Sequence, residues 1–271
     1  MRMMTRVGGV AACLAVLATA RPVTACGYGV PSPVVRFVQA DCVVVGKLTM
    51  IEPSPQTTLA PWGGQKMTYN IAVIKVEEML KGSHGLTHVR LGLLDHQRLQ
   101  PGLEACFFLT RHPHESFFVQ GFDFLDFPLV KAGNPSFVRE MENYRRMGKL
   151  SEDPVAGLRS SKQEDRFLTA ALVIMGCRTF RPQFHAGVDK TEPIDALTSK
   201  LALRALAETD WSRNVIDFRL SAPRLFATLG VTAKDGWNPP AFQNVQQQQD
   251  FTRSWLKNNE EKFLVRAFVR K

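Results

Sequence analysis

Hydrophobic and polar positions change their period near the middle of the chain. Up to about residue 130 the pattern is that of strands, and beyond it the pattern is helical. Strand-like runs cover 41–51, 66–80, 88–94, 104–110 and 116–125. The first is β-branched and continuously apolar at its centre, through Val43, Val44 and Val45. The second alternates through Tyr69, Ile71 and Val73, then shifts phase to Ile74 and Val76, which predicts a bulge or a strong bend. Turn chemistry separates the runs, at Pro53-Ser54-Pro55, Trp62-Gly63-Gly64, Lys81-Gly82-Ser83 and Gln100-Pro101-Gly102. Short strands punctuated in this way predict a small barrel or sandwich. Five strands, one of them long and bent, suit an OB-type β-barrel.

The second half carries helix signals. Asn134 is placed as an N-cap, with Pro135 at the first helical position, for a helix to about Met147 with Phe137, Met141 and Tyr144 on one side. Ser161 and Glu164 form the pattern of a capping box. The helix it opens has a stripe of Phe167, Leu168, Ala171, Leu172 and Met175. Leu197, Leu201 and Ala205 mark another helix, ending before Asp210-Trp211. Ser221 to Leu229 reads as a short helix with Gly230 as its C-terminal cap. Gln243 to Lys262 reads as a polar surface helix, with Phe251 and Trp255 four residues apart.

The first 25 residues have a different character. Arg2 and Arg6 form a positive start, Val7 to Ala20 an apolar run, and Val23-Thr24-Ala25 offers small residues before Cys26. This is the layout of a secretory signal peptide, so the chain is expected to be exported, with Cys26 first in the mature form. The apolar run is too short to span a bilayer, and no later segment is long enough without charges, so no transmembrane helix is expected. Val23-Thr24-Ala25-Cys26 also fits a bacterial lipobox, which makes Cys26 a candidate for lipidation and a lipid anchor. The expected fold class is α+β, divided into a signal peptide over 1–25, a β-barrel over 26–130 and an α-helical domain over 131–271.

Composition narrows the function. The formal net charge is +9, of which Arg2, Arg6 and Arg21 lie in the leader, leaving +6. The bases are scattered without forming a patch, so no nucleic-acid partner is expected. Cys26, Cys42, Cys106 and Cys177 remain after cleavage, with no CxxC and no zinc-site spacing. Cys42 and Cys106 sit in strand-like runs, and two alternatives stand for them: a disulfide across the sheet, or two buried thiols.

The start of the mature chain resembles the N-terminal domain of the tissue inhibitors of metalloproteinases, a netrin-like OB-fold family. The resemblance rests on Cys26, Pro31, Pro33, Phe37, Asp41, Val43-Val44-Val45 and Lys47, and on the strand Tyr69 to Leu80 followed by Lys81-Gly82. It covers about residues 26–125. It implies a netrin-like barrel, a protein partner and, in a family of protease inhibitors, a zinc metalloprotease as that partner. In the family, the amine and carbonyl of the first Cys chelate the protease's zinc, a role that would fall to Cys26. The family's second and third cysteines are replaced here by Tyr28 and Val38, and Leu94-Asp95-His96-Gln97 holds no Cys where the brace for Cys26 belongs.

Other chemistry is thin. His112-Pro113-His114 could present two imidazoles to a metal, but the proline and the position between strands favour a solvent-exposed hairpin tip. His84 and His88 read as surface residues. Asp123 and Asp126 bracket an aromatic run and read as capping or salt-bridging a barrel rim. There is no GxSxG, no HExxH and no phosphate-cradling glycine loop, so no catalytic residue, resident metal or cofactor is expected. The leading expectation is an exported, non-enzymatic binding protein. The alternative is an exported hydrolase using Asp123, Asp126 and His114 between barrel and helices.

Overall fold

The computed structural model describes residues 32–82, 85–120, 130–178, 190–212 and 220–269. It opens with a helix that the hydrophobic pattern does not announce, α1 (Pro33–Gln39). Its origin is local chemistry. The Ser32 hydroxyl accepts the Val35 N–H at 3.2 Å, and Pro33 occupies the first turn, where a missing N–H costs nothing. Val34, Phe37 and Val38 are its buried residues.

The strands are β1 (Cys42–Ile51), β2 (Gln56–Leu59), β3 (Lys66–Lys81), β4 (His88–Leu93), β5 (Glu104–Arg111), β6 (Phe118–Gln120) and β7 (Val130–Lys131). Strand β1 pairs antiparallel with both β3 and β5. Strand β3 pairs with β4, β4 runs parallel to β6, and β6 returns antiparallel to β5. The pairings therefore close into a ring of five strands, with β2 attached to β3 and β7 to β5. The five expected runs supply this ring. The tail of the fifth, 121–125, lies outside the described residues.

Alternation sorts the ring's side chains onto two faces. Val44 and Leu48 of β1, Ala72 and Ile74 of β3, Val89 and Leu91 of β4, and Phe107 and Leu109 of β5 meet in one cluster. The phase shift read in β3 falls where its pairing with β1 slips: Leu48 opposes Ile74 and Met50 opposes Val73, so the extra residue, Thr49, is in β1 rather than β3. Tyr69 and Ile71 face a second cluster with Phe117 and Val119, whereas Ala72 and Ile74 face the first. Alternation is unbroken there, and what changes is the face that is covered. Two further register shifts lie nearer the end of β3. Val43 and Val44 oppose Lys81 and Met79, and Val45 and Gly46 oppose Glu78 and Val76, so Leu80 and Glu77 are the extra residues.

The helices that follow are α2 (Phe137–Glu152), α3 (Pro154–Leu158), α4 (Gln163–Arg178), α5 (Ala196–Glu208), α6 (Ala222–Leu229) and α7 (Val245–Asn259). Two short strands, β8 (Thr191–Pro193) and β9 (Arg266–Phe268), pair with each other. Helix α2 starts two residues later than Asn134 predicts, with Ser136 at the N-cap position. The Asn134 side chain instead accepts the N–H and hydroxyl of Ser136, each at 3.0 Å, in a turn before the helix. At the start of α4 it is Ser160, not Ser161, whose hydroxyl accepts a backbone N–H, from Lys162 at 3.2 Å. The expected stripe of α4 is buried, and so are Thr169, Ala170 and Ile174 around the rest of its circumference. A helix apolar on all sides is a central one. Helix α4 packs against α1, α2, α3, α5, α6 and β9. In α5, Leu201 and Ala205 are buried as expected, but Leu197 is 43% exposed, and Thr198 and Ser199 are the buried residues of the first turn. Ser221 and Gly230 cap α6 as predicted, Gly230 with φ +69°.

The largest core joins the two halves. Val43, Leu80, Cys106 and Phe108 of the ring pack in the same cluster as Phe37, Met141, Tyr144, Leu168 and Leu203. Residues 31–271 form one compact unit, and the change of secondary structure at 130 does not interrupt its core. Among the described residues, no helix is long and apolar enough to cross a membrane.

Candidate functional site

Cys26, Tyr28, Pro31, His84, Asp123 and Asp126 lie outside the described residues. The described residues that carry the family resemblance have packing duties. Phe37 is buried and stacks on Tyr144 at 6.5 Å. The Asp41 carboxylate accepts the Arg111 N–H at 2.9 Å. Lys47 pairs with Glu104 at 2.9 Å on the exposed surface. Lys81 donates to the carbonyls of Phe37, Val38 and Ala40 at 2.8, 3.1 and 2.7 Å, tying the end of α1 to the end of β3. Gly82 follows with φ +108°, where a Cβ would sit 3.0 Å from the Asp41 carbonyl oxygen.

Cys42 and Cys106 are two buried free thiols rather than a disulfide. In the β1–β5 register Cys106 opposes Val45, three residues from Cys42. An odd separation puts the two side chains on opposite faces, and they belong to different clusters. The Cys42 thiol donates to Met79 Sδ at 3.5 Å, and burial pushes its pKa up to about 11. Burial raises the Cys106 thiol further still. Neither is a reactive thiolate at neutral pH.

His112 is not at an exposed tip. It is 3% exposed, with its ring 5.6 Å from Tyr69 and 5.0 Å from Phe117. Its Nδ1 accepts the His114 N–H at 3.2 Å. Burial lowers its pKa below 6.5, partly offset by the nearby Glu115. The proline turns the chain so that His114 is exposed while His112 points inward. Among the described residues no group of three His, Cys, Asp or Glu side chains could hold a metal ion.

Among the described residues, two of the cavities bear on binding. One, of about 210 Å³, lies where α1 and the end of β3 meet α2, α3 and α4. Lys81 is its ionisable lining residue and is held by the three carbonyls. Its hydroxyls are also engaged, Ser151 with the Gly148 carbonyl and Thr169 with the Asp165 carbonyl.

The other cavity, of about 300 Å³, lies between α6 and α7 and is mostly apolar. Trp211, Phe226 and Trp237 form its aromatic walls, and Gln248, Gln249 and Thr252 of α7 supply polar atoms. Each wall is positioned by a local device. The Trp211 indole N–H donates to the Leu206 carbonyl at 3.0 Å, at the end of α5. Phe226 projects from the capped helix α6. Trp237 follows a single 3₁₀ turn, Ala233–Asp235, in which the Asp235 carboxylate accepts the N–H and hydroxyl of Thr232 at 2.9 and 2.8 Å. Gly236, with φ +75°, then turns the chain so that the Trp237 N–H reaches the Thr232 carbonyl at 3.2 Å. The Phe226 and Trp237 rings lie 4.7 Å apart. Trp255 and Phe251 back them, 5.9 and 5.2 Å from Trp237. The Gln249 amide donates to the Trp211 carbonyl at 3.4 Å and Arg253 to the Ala207 carbonyl at 3.1 Å, joining α7 to the end of α5.

Sequence reading missed this site. Its one local signal is the four-residue spacing of Phe251 and Trp255, which marks the face of α7 turned to the aromatic cluster. Compared with known proteins, the chain matches no family model and no curated protein.

Proposed function

We propose that this chain is an exported, non-enzymatic binding protein, with a netrin-like OB-type barrel as scaffold and the α6–α7 cavity as ligand site. The export reading rests on the leader pattern before Cys26. The barrel reading is supported by the five-strand ring, in which β1 pairs on both edges and the closing β4–β6 pair is parallel. The observation that carries the binding reading is the concave aromatic cavity walled by Trp211, Phe226 and Trp237. Preformed apolar pockets with a few convergent polar groups are the usual form of small-ligand sites. Inhibition of a zinc metalloprotease through Cys26 is not part of this reading. The family's bracing cysteines are replaced by Tyr28 and Val38, and Cys106, the remaining candidate brace, is fully buried against the helices.

The test uses a neutral apolar fluorophore, N-phenyl-1-naphthylamine, titrated into the purified mature protein. The expected result is a saturable rise in emission that is lost in Trp237→Ala, measured well below the melting temperature of the variant, where its circular dichroism matches that of the parent. Emission that rises linearly, or equally in both proteins, refutes the site.

A further inference from the structure

We infer that the α6–α7 cavity takes a neutral sugar ring, as a free monosaccharide or as one unit of a glycan. The inference rests on the binding reading above and narrows its ligand. The first argument is charge. Among the described residues, none lining the cavity is ionisable. The cavity is open at the rim, where Val245 and Gln248 are exposed, so a charged ligand would lose part of its hydration without gaining an ion pair from the lining, which favours a neutral one.

The second argument is the pairing of ring faces with amides. Trp211, Phe226 and Trp237 present aromatic walls, whose π-faces carry a partial negative charge that attracts the slightly positive C–H groups of an aliphatic ring. Beside them, at the exposed rim, the Gln248 side chain makes no hydrogen bond to the described residues, so its amide can both donate and accept. Gln249 donates to the Trp211 carbonyl, leaving its side-chain oxygen to accept. Thr252 donates to the Gln248 carbonyl at 2.7 Å, leaving lone pairs to accept. The matching ligand is apolar on its face and rimmed by groups that both donate and accept. Hydroxyls around a saturated ring meet both conditions. An alkyl chain leaves the amides unused, and a carboxylate or phosphate finds no cation in the lining.

The third argument is size. At about 300 Å³ the cavity is at the small end of ligand pockets and suits a ring or two rather than a peptide.

Isothermal titration and intrinsic tryptophan fluorescence on the full mature chain test this. The probes are glucose, galactose, mannose and N-acetylglucosamine, with maltotriose and chitotriose as glycan units and glucuronic acid and glucose 6-phosphate as charged counterparts. Saturable binding by at least one neutral sugar is expected, at least about tenfold weaker for its charged counterpart. Gln248→Ala should weaken that sugar about fivefold and weaken N-phenyl-1-naphthylamine, which needs no hydrogen bond from the amide, by a clearly smaller factor. Trp237→Ala should abolish both, and Trp237→Phe, which keeps an aromatic wall, should retain part of each. Preference for trisaccharides over their monosaccharides assigns the site to a glycan, and equal affinity to a free sugar. If the fluorophore binds in a Trp237-dependent way but no sugar displaces it up to about 100 mM, the sugar inference falls and the binding site stands. If neither binds, both fall.

Discussion

Lys81 and His112 show how single residues acquire roles that their neighbours in sequence do not announce. The ammonium of Lys81 has three donors, and three carbonyls at the end of α1 receive them. A cation at a helix C-terminus also meets the negative end of the helix dipole. His112 is held neutral by burial, with its pKa below 6.5. As pH falls, the unfolded chain takes up this proton first. The stability that comes from keeping the ring neutral is therefore complete above 6.5 and is lost as pH drops toward the folded-state value. Urea midpoints should be lower at about pH 5.5 than at about pH 7.5, and His112→Phe, which keeps the ring packing, should remove most of that difference. A His112→Phe protein with the same pH dependence as the parent would assign the effect to another group.

At the scale of elements, α2 and β3 show why propensity alone misleads. Gly148 sits inside α2, where alanine is ordinarily better by up to about 1 kcal/mol. Here a Cβ would lie 2.7 Å from the backbone oxygen of Leu80, so the helix would have to move off the end of β3. Gly148→Ala should destabilise by roughly 1–3 kcal/mol. Gly176 in α4 is the control, because a Cβ there meets nothing within 4 Å. Gly176→Ala should stabilise by up to about 1 kcal/mol. Urea unfolding of the two variants should show opposite signs. The elements that escaped sequence reading are those too short to show a period: β2 has 4 residues, β7 has 2, and β8 and β9 have 3 each. Helices α1, of 7 residues, and α3, of 5, also escaped it, because each is signalled by a cap and a proline rather than by a stripe.

For the whole molecule, the decisive fact is that ring and helices share a core. One face of β1, β3 and β5, bearing Val43, Leu80, Cys106 and Phe108, is covered by α1 and α2, with α4 packed behind them. A chain ending at residue 130 would expose that face to water, a large loss for a domain of its size. The fragment 32–130 should show no cooperative urea transition, whereas the chain from 26 to 271 should unfold in a single step by circular dichroism. A sharp transition in the fragment would mean that the ring is stable alone.

The sequence by itself determined the five runs that supply the ring, the switch to helices near 130, and the cap residues Ser221 and Gly230. Alternation and capping depend on bonds and sterics within a few residues, so they are written locally. The tertiary structure alone decided the rest. The β1–β5 register set Cys42 and Cys106 on opposite faces, the stack on Tyr69 and Phe117 buried His112, and the helical packing brought Trp211, Phe226 and Trp237 around one cavity. Burial and proximity at those positions depend on partners far away in the chain, and no local pattern encodes them.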